Sequence, residues 1–509
     1  MNLTARPVSL MAPHLRATTI GSFALVFLGA FEALAVTTVM PAVSADLDGA
    51  AYYALAFSGT LAASVVGVVV AGRWSDRRGP VAPLLAATAI FLVGLIVAGS
   101  ASTIEVFVVG RLLQGFGSGA INVALYVVVA RLYPAVLHPR IFGAFAAAWV
   151  LPSMIGPPVA GWVAEQISWH WVFLGVAVLV LIAAALMLPA IRQITGSGAA
   201  AAGTAPAATE PAESAERSGP ATSIASAESA EAPESSESAE SAGATGSAAQ
   251  AQPEQTGPGS LVSILLALVV AGAVLAISLA QQLPSPLDWT VAVVALIVAG
   301  VAARPLLPRR TLLAGRGLPA TVLLRGLVAA SFFAAEIYMP LMLHERDGLA
   351  LSVSGLILTV GAISWAAGSH LQGRLGERFG STAIARVGTA LIAVGIVVQL
   401  LDALLALGPI VAAAGWLVAG AGMGTVFPRV ATLALAYSTP RNQGFNSAAL
   451  SIFDAASSAT SIAIAGLLFA LVGGTDSPFA YAAAFALSVV VIVLAQPVAA
   501  RTAPPGAQR

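Results

Sequence analysis

Long apolar runs, not alternating patterns, organise this chain. About 20 mostly apolar residues let a helix cross a hydrocarbon core. Such runs recur near 18–41, 51–71, 81–99, 104–130, 141–164 and 169–190, then at 260–281 and 289–303. They resume at 319–343, 352–371, 381–403, 407–436, 446–471 and 478–498. The pattern predicts an all-α polytopic membrane protein with 14 spans grouped as six, two and six. The eighth run is the shortest, and omitting the seventh and eighth together leaves a twelve-span alternative. The first run, with Arg6 and Arg16 before it and Ala42-Val-Ser-Ala45 at its end, imitates a secretory leader. It is longer than the roughly 7–15 apolar residues of a cleaved leader, so it reads as an uncleaved first span.

Residues 192–258 break the pattern. They are Ala, Ser, Gly and Pro with nine Glu, and they lack the apolar content to build a core. The expectation is a disordered acidic cytoplasmic linker, either a plain tether or a regulatory or binding tail. The expected layout is therefore a six-helix bundle at 1–191, the linker at 192–258 and two inserted helices at 259–304. A second six-helix bundle at 318–499 and a cytoplasmic tail at 500–509 complete it.

Composition narrows the function. The chain is 58% hydrophobic and 9% charged, against about 25% charged residues in soluble domains. Its net charge is zero, so nothing suggests nucleic acid. Cysteine is absent, which removes disulfides and thiolate metal sites, and the five His show no metal-ligand spacing. Lysine is absent too, so all 23 basic side chains are Arg. Without Lys there is no phosphate-binding loop of the Walker type, hence no expected nucleotide, and no Schiff-base cofactor. Neither a metal nor any other cofactor is expected. A membrane-embedded lipid enzyme would need acids, bases or metal ligands clustered at a membrane edge, and the sequence offers none. A non-transporting sensor stands as a further alternative. The Ala, Gly and Arg bias fits a GC-rich bacterial genome.

Charge then orients the spans. With the N-terminus inside, the inner loops hold 18 Arg and the outer loops only Arg346. The outer loops carry Asp46, Asp48, Glu165, Asp288, Glu345, Asp347 and Asp476 instead. Arg-rich loops face the cytoplasm, so both termini are expected there, in a bacterial plasma (inner) membrane.

The chain also repeats itself. Gly72-Arg-Trp-Ser-Asp76-Arg77-Arg-Gly79, in the loop after span two, matches Gly373-Arg-Leu-Gly-Glu377-Arg378-Phe-Gly380 after span ten. In the fourth span of each half, Gly115, Gly117 and Gly119 match Gly420, Gly422 and Gly424. Glu32 in span one matches Glu336 in span nine. The offsets are 301, 305 and 304 residues. Two parallel six-helix repeats follow, with spans seven and eight inserted. Transporters place substrate between such repeats and rock one against the other.

These residues resemble the major facilitator superfamily, in its fourteen-helix drug:proton antiporter branch. Gly72, Asp76, Arg77 and Gly79 resemble that family's signature loop, although Pro80 and Val81 stand where basic residues are usual. Arg111, Gln114 and Gly115 resemble its fourth-span Arg-x-x-Gln-Gly pattern. Gly156, Pro157 and Gly161 resemble its antiporter motif, with Pro152 in place of a preceding glycine. Glu32 and Pro41 resemble a first-span pattern of an acid nine residues before a proline, with Glu where Asp is usual. The resemblance covers the chain outside the linker. It implies a monomeric secondary transporter exporting small molecules, drug-like and hydrophobic or cationic, in exchange for protons. Uptake of a metabolite by proton symport on the same fold is the alternative.

The residues themselves assign roles. A charge at mid-membrane costs about 2.5–3.5 kcal/mol on insertion scales, so it is expected to face a cavity or a partner. Glu32 and Glu336 are mid-span acids expected to line a central cavity and couple proton movement to transport. Each could instead be a hydrogen-bonded buried group or an anchor for a cationic substrate. Arg111, with Gln114 one turn on, could govern a nearby carboxylate or act as a static strut. Asp454 could couple protons or bind substrate, while the hydroxyls of Ser451, Ser457 and Ser458 around it could instead hydrogen-bond across helices. Arg325, Arg386 and Arg429 lie near cytoplasmic helix ends and read as snorkelling side chains. Asp76 could latch onto a helix N-terminus across the two halves, while the loop's Arg residues also satisfy topology alone. Pro152, Gly156, Pro157 and Gly161, with Pro158, predict a close-packed fifth span that could seal the cavity. Tyr126, Phe145 and Trp149 could line an apolar pocket. Trp169 and Trp171 read as interfacial anchors.

Overall fold

The computed structural model describes residues 9–203, 259–439, 442–477 and 479–503. Over these it contains α1 (Pro13–Asp46), α2 (Tyr53–Arg78), α3 (Val81–Gly99), α4 (Ile104–Leu132), α5 (His138–Gln166), α6 (His170–Gly203) and α7 (Ser260–Ala280). There follow α8 (Leu287–Ala303), α9 (Leu318–Leu341), α10 (Leu351–Phe379), α11 (Ser381–Leu405), α12 (Pro409–Ala436), α13 (Gln443–Leu471) and α14 (Ala480–Ala500). Fourteen helices among the described residues are long and apolar enough to cross a membrane, α7 and α8 included. α6 continues to Gly203, beyond residue 191 where the sequence ends the first bundle. Residues 204–258, most of the expected linker, lie outside the described residues.

Backbone chemistry explains the lengths. A helix satisfies its own backbone polar groups, which hydrocarbon cannot do. Prolines open α1, α5, α9 and α12, where a missing N–H costs least, while others, such as Pro41 of α1 and Pro152, Pro157 and Pro158 of α5, lie inside their helices.

The repeat is visible in how glycines pack. A Cβ on Gly115 would meet the Thr60 carbonyl, one on Gly119 the Ser64 carbonyl, and one on Gly117 the backbone of Phe91. In the second half, Gly420 meets the Gly361 carbonyl, Gly424 the Trp365 carbonyl and Gly422 the Ile392 backbone. Thr60, Ser64 and Phe91 each lie 301 residues before their counterparts, the offset of the signature repeat. α4 thus sits against α2 and α3 as α12 sits against α10 and α11. Missing side chains let these backbones touch.

The signature repeat itself is not a loop. Gly72 to Arg78 form the last turns of α2, and Gly373 to Phe379 those of α10. Nothing in either stretch breaks a helix until the final glycine. Gly79 (φ 81°, ψ 170°) and Gly380 (φ 70°, ψ 155°) adopt nearly the same left-handed conformation, which side-chain-bearing residues disfavour. The chain turns there in the same way twice.

α7 lies along α2 and α13, and α8 packs mainly on α7. The two halves meet chiefly through α2 with α13 and α5 with α10.

Candidate functional site

α1 and α4 bring three polar side chains together inside the first half. Arg111 forms an ion pair with Glu32 and donates to Gln114 Oε1 at 2.5 Å. Its Nε donates to the Ala56 carbonyl of α2 at 3.3 Å, and the Gln114 amide donates to the Gly94 carbonyl of α3 at 3.3 Å. Glu32 is 4% exposed, Arg111 3% and Gln114 0%. The cluster is buried and ties four helices together. Spacing fixes part of it, since residues three apart share a helical face.

The second half is built differently at the same depth. Trp416 replaces Arg111 and stacks on Phe332, with ring centroids 4.5 Å apart. Glu336 is half-buried and makes no hydrogen bond or ion pair with a described residue.

A second ion pair corrects the sequence reading of Arg325. It does not snorkel alone. Its Nε and Nη2 each lie 2.9 Å from Asp454 Oδ2, its Nη1 donates to the Phe427 carbonyl at 3.1 Å, and its guanidinium carbon lies 3.1 Å from the Phe427 ring centroid. A partner lay within reach across α9 and α13, so exposure of the head group was unnecessary. Ser457 does bond across helices, to the Gly326 carbonyl at 2.9 Å. Arg429 bonds to Ser381, while Arg386 is exposed. Trp169 is likewise no interfacial anchor. It is 5% exposed and donates to Asp46 at 3.0 Å, pinning α6 to the end of α1, whereas Trp171 is 55% exposed.

The halves are joined on the acid-rich side. Tyr53 donates to the Ile337 carbonyl at 3.1 Å, one residue from Glu336. Glu165, at the end of α5, accepts from both Ser352 N and Ser352 Oγ at 3.0 Å. It therefore caps the N-terminus of α10, where a helix favours negative charge. Gly161 lies against the Leu351–Ser352 backbone, and Gly355 against Pro157. Gly156 has a looser neighbour in Phe31. Pro158 has no N–H, so Met154 loses its intrahelical donor. Thr359 of α10 replaces it, donating to the Met154 carbonyl at 3.1 Å.

At the opposite, Arg-rich end, Asp76 is exposed and has no partner among the described residues. Arg77, Arg78 and Arg378 are exposed, and the side chain of Glu377 lies outside the described residues. Within the first half, α1, α4 and α5 line a cavity of about 140 Å³ bordered by Val26, Asn122, Leu125, Tyr126, Phe142, Phe145 and Trp149. Tyr126 stacks on Phe142 at 5.1 Å and lies within electrostatic reach of Arg325. Asn122 and Phe142 escaped the sequence reading, although both stand one turn from residues it singled out.

The profile of the Major Facilitator Superfamily matches residues 22–402. The chain belongs to that superfamily. An MFS-type transporter of Mycobacterium tuberculosis is 32% identical over 31% of this chain and 23% of its own length. The multidrug efflux pump SdrM of Staphylococcus aureus is 26% identical over 31% of this chain and 35% of its own length. Multidrug resistance protein 3 of Bacillus subtilis is 29% identical over 29% of each. The matched stretch thus spans a third or less of most of these relatives. A peptide transporter structure aligns with 95% of this chain and 94% of its own, with a TM-score of 0.61 at 14% identity. The Escherichia coli xylose transporter XylE, in a partially occluded inward-open conformation, aligns with 95% and 97%, with a TM-score of 0.56 at 12% identity. These likenesses carry the fold. The chain has the fold of a multi-pass membrane transporter.

Proposed function

We propose that this transporter exports small hydrophobic or cationic molecules in exchange for protons, by alternating access from the cytoplasmic side of a bacterial plasma membrane. The observation that carries this reading is the buried Glu32–Arg111 pair. A buried ion pair at this depth responds to a single proton. Protonating Glu32 leaves Arg111 with only Gln114 and the Ala56 carbonyl, and the uncompensated charge then favours a rearrangement of α1 against α4. Glu336, unpaired at the equivalent depth, is the second acid that can carry a proton or hold a cationic cargo. Asp454 and Arg325 form a further charge switch nearer the Arg-rich face, beside the aromatic cavity.

The acid-rich side joins the halves through α5 and α10, while Asp76 stands unengaged at the other end. That asymmetry suits a conformation open towards the Arg-rich face, the cytoplasmic face by the charge rule. Asp76, Arg77, Gly79 and their counterparts would then engage when the opposite conformation forms. Pro152, Gly156, Pro157 and Gly161 form the seal. The chain is expected to act as a monomer, and relatives named as multidrug pumps support the choice of cargo.

The test is a substrate screen in proteoliposomes with an imposed pH gradient. Export by antiport requires cargo to enter inverted vesicles as protons leave. Cargo moving in the same direction as protons would establish uptake by symport, and flux indifferent to the gradient would remove proton coupling.

A further inference from the structure

A transporter of two halves has two lateral seams, here α2 against α13 and α5 against α10. This chain treats them unequally. α7 runs along the first. Its Val270 and Ile277 share one apolar core with Val65 and Val69 of α2 and Ile452 and Leu467 of α13. Polar ties bind α7 to the α2 side at both ends. Ser58 and Ser278 hydrogen-bond at 2.8 Å, Arg73 donates to Ser263 at 3.1 Å, and the Gln281 amide donates to the Ala51 carbonyl just before α2. The α13 side of the same core contributes Ala449, Ala456, Ala459 and Ala463 beside Ile452 and Leu467, an apolar surface of mostly small residues.

Among the described residues the second seam has no such cover, since neither inserted helix packs on α5 or α10. Its cross-half bonds sit towards one end, from Met154 to Glu165 on α5 and from Ser352 to Thr359 on α10. Beyond them α5 presents Trp149 and Leu151, 45% and 48% exposed, and Trp149 also lines the aromatic cavity.

Rocking must part each seam in turn. A parted seam admits acyl chains, and whatever dissolves among them, unless something covers it. Hydrogen bonds fix α7 to one wall of its seam. The buried residues that α13 adds to this core are apolar and mostly alanine, so sliding along that wall breaks none of these hydrogen bonds. We propose that α7 and α8 form a shield that travels with the first half and keeps the α2–α13 seam closed to lipid, so that bilayer-dissolved apolar and amphipathic cationic compounds reach the chamber only between α5 and α10. The cargo in this statement rests on the export reading; the shield does not.

Two measurements test it. The first uses the full chain in vesicles of phosphatidylcholine carrying a mid-chain diazirine. Irradiation should label Trp149 and Tyr126 by way of the open seam, and Leu265 and Leu268 on the outer surface of α7. Val65, Val69 and Ile452 should be labelled at least tenfold less. Equal labelling of those three, or none at Tyr126, overturns the proposal. The second uses the absence of native cysteine. Ser58→Cys with Ser278→Cys should form a specific disulfide, and ethidium efflux should stay within about twofold of the reduced protein. Efflux lost on oxidation and regained on reduction would show that α7 moves against α2, which overturns it. If this pair does not fold, Ala51→Cys with Gln281→Cys makes the same test. Should the unaltered protein move neither ethidium nor any other compound, the export reading falls, and the labelling pattern alone decides the shield.

Discussion

Replacing Glu32 by glutamine removes one charge from a pair that is 4% and 3% exposed, and leaves the other behind. At a contact of about 3 Å and an effective dielectric constant near 20, the attraction lost is roughly 5 kcal/mol. Glutamine keeps one hydrogen bond to the charged Arg111, worth about 1.5–3 kcal/mol. The expected loss of stability is therefore about 2–3.5 kcal/mol, overlapping the roughly 3–5 kcal/mol typical when one partner of a buried pair is removed. Arg111→Gln alone should cost a similar amount, since it strands the carboxylate. The double substitution removes both desolvation penalties and should lie within about 1 kcal/mol of the parent. Reversible unfolding in mixed micelles of increasing SDS fraction measures all four proteins. Proton-linked efflux, measured in parallel, should vanish in each variant, including the stable double one. Additive losses, with the double variant the weakest, would refute the pairing. Unimpaired proton-linked efflux in the double variant would remove the pair from the mechanism.

Other expectations follow from the same contacts. Gly115→Val and Gly420→Val should each cost about 2–3 kcal/mol by forcing backbones apart, whereas Gly373→Ala, facing open space, should stabilise by up to about 1 kcal/mol; unfolding midpoints compare them. Asp402, fully buried, accepts from Arg346 at 3.0 Å and from Gly408 N at 2.7 Å, so Asp402→Ala should cost about 3–5 kcal/mol while leaving substrate affinity unchanged in binding assays. Glu165→Ala removes the cap on α10 and should shift the population towards opening on the acid-rich side by about 5–30-fold, or roughly 1–2 kcal/mol; labelling of an introduced cysteine between the halves by a polar thiol reagent reads the shift.

The sequence carries the fold because the bilayer enforces it. Runs of about 20 apolar residues have one way to satisfy their backbones, so the fourteen helices were legible, α8 included. The repeat was legible because glycines at Gly115 and Gly420 answer a need for contact that few other residues meet. Arg111 and Gln114 were legible as neighbours because helical spacing is local. Arg325 and Asp454 were not, since 129 residues separate them. A signal existed, in that opposite charges lay at similar depth in two spans of one half. Thr359 was hidden for another reason. Pro158 announces a carbonyl without a donor, but not which helix will supply one. The helical state of Gly72–Arg78 was missed because charged residues at a membrane edge read as a loop, although they contain no helix breaker.

Glycine packing in α2, α3 and α4 has a mechanical consequence. Three rods touching backbone to backbone cannot shear or compress, so they behave as one stiff plate, and Arg111 is set into its edge. Any push delivered there by α1 must tilt the whole plate. From Arg111 to Leu132 the rod is about 31 Å long at 1.5 Å per residue. A tilt of about 5° would carry its far tip nearly 3 Å, enough to make or break a hydrogen bond at the other membrane face.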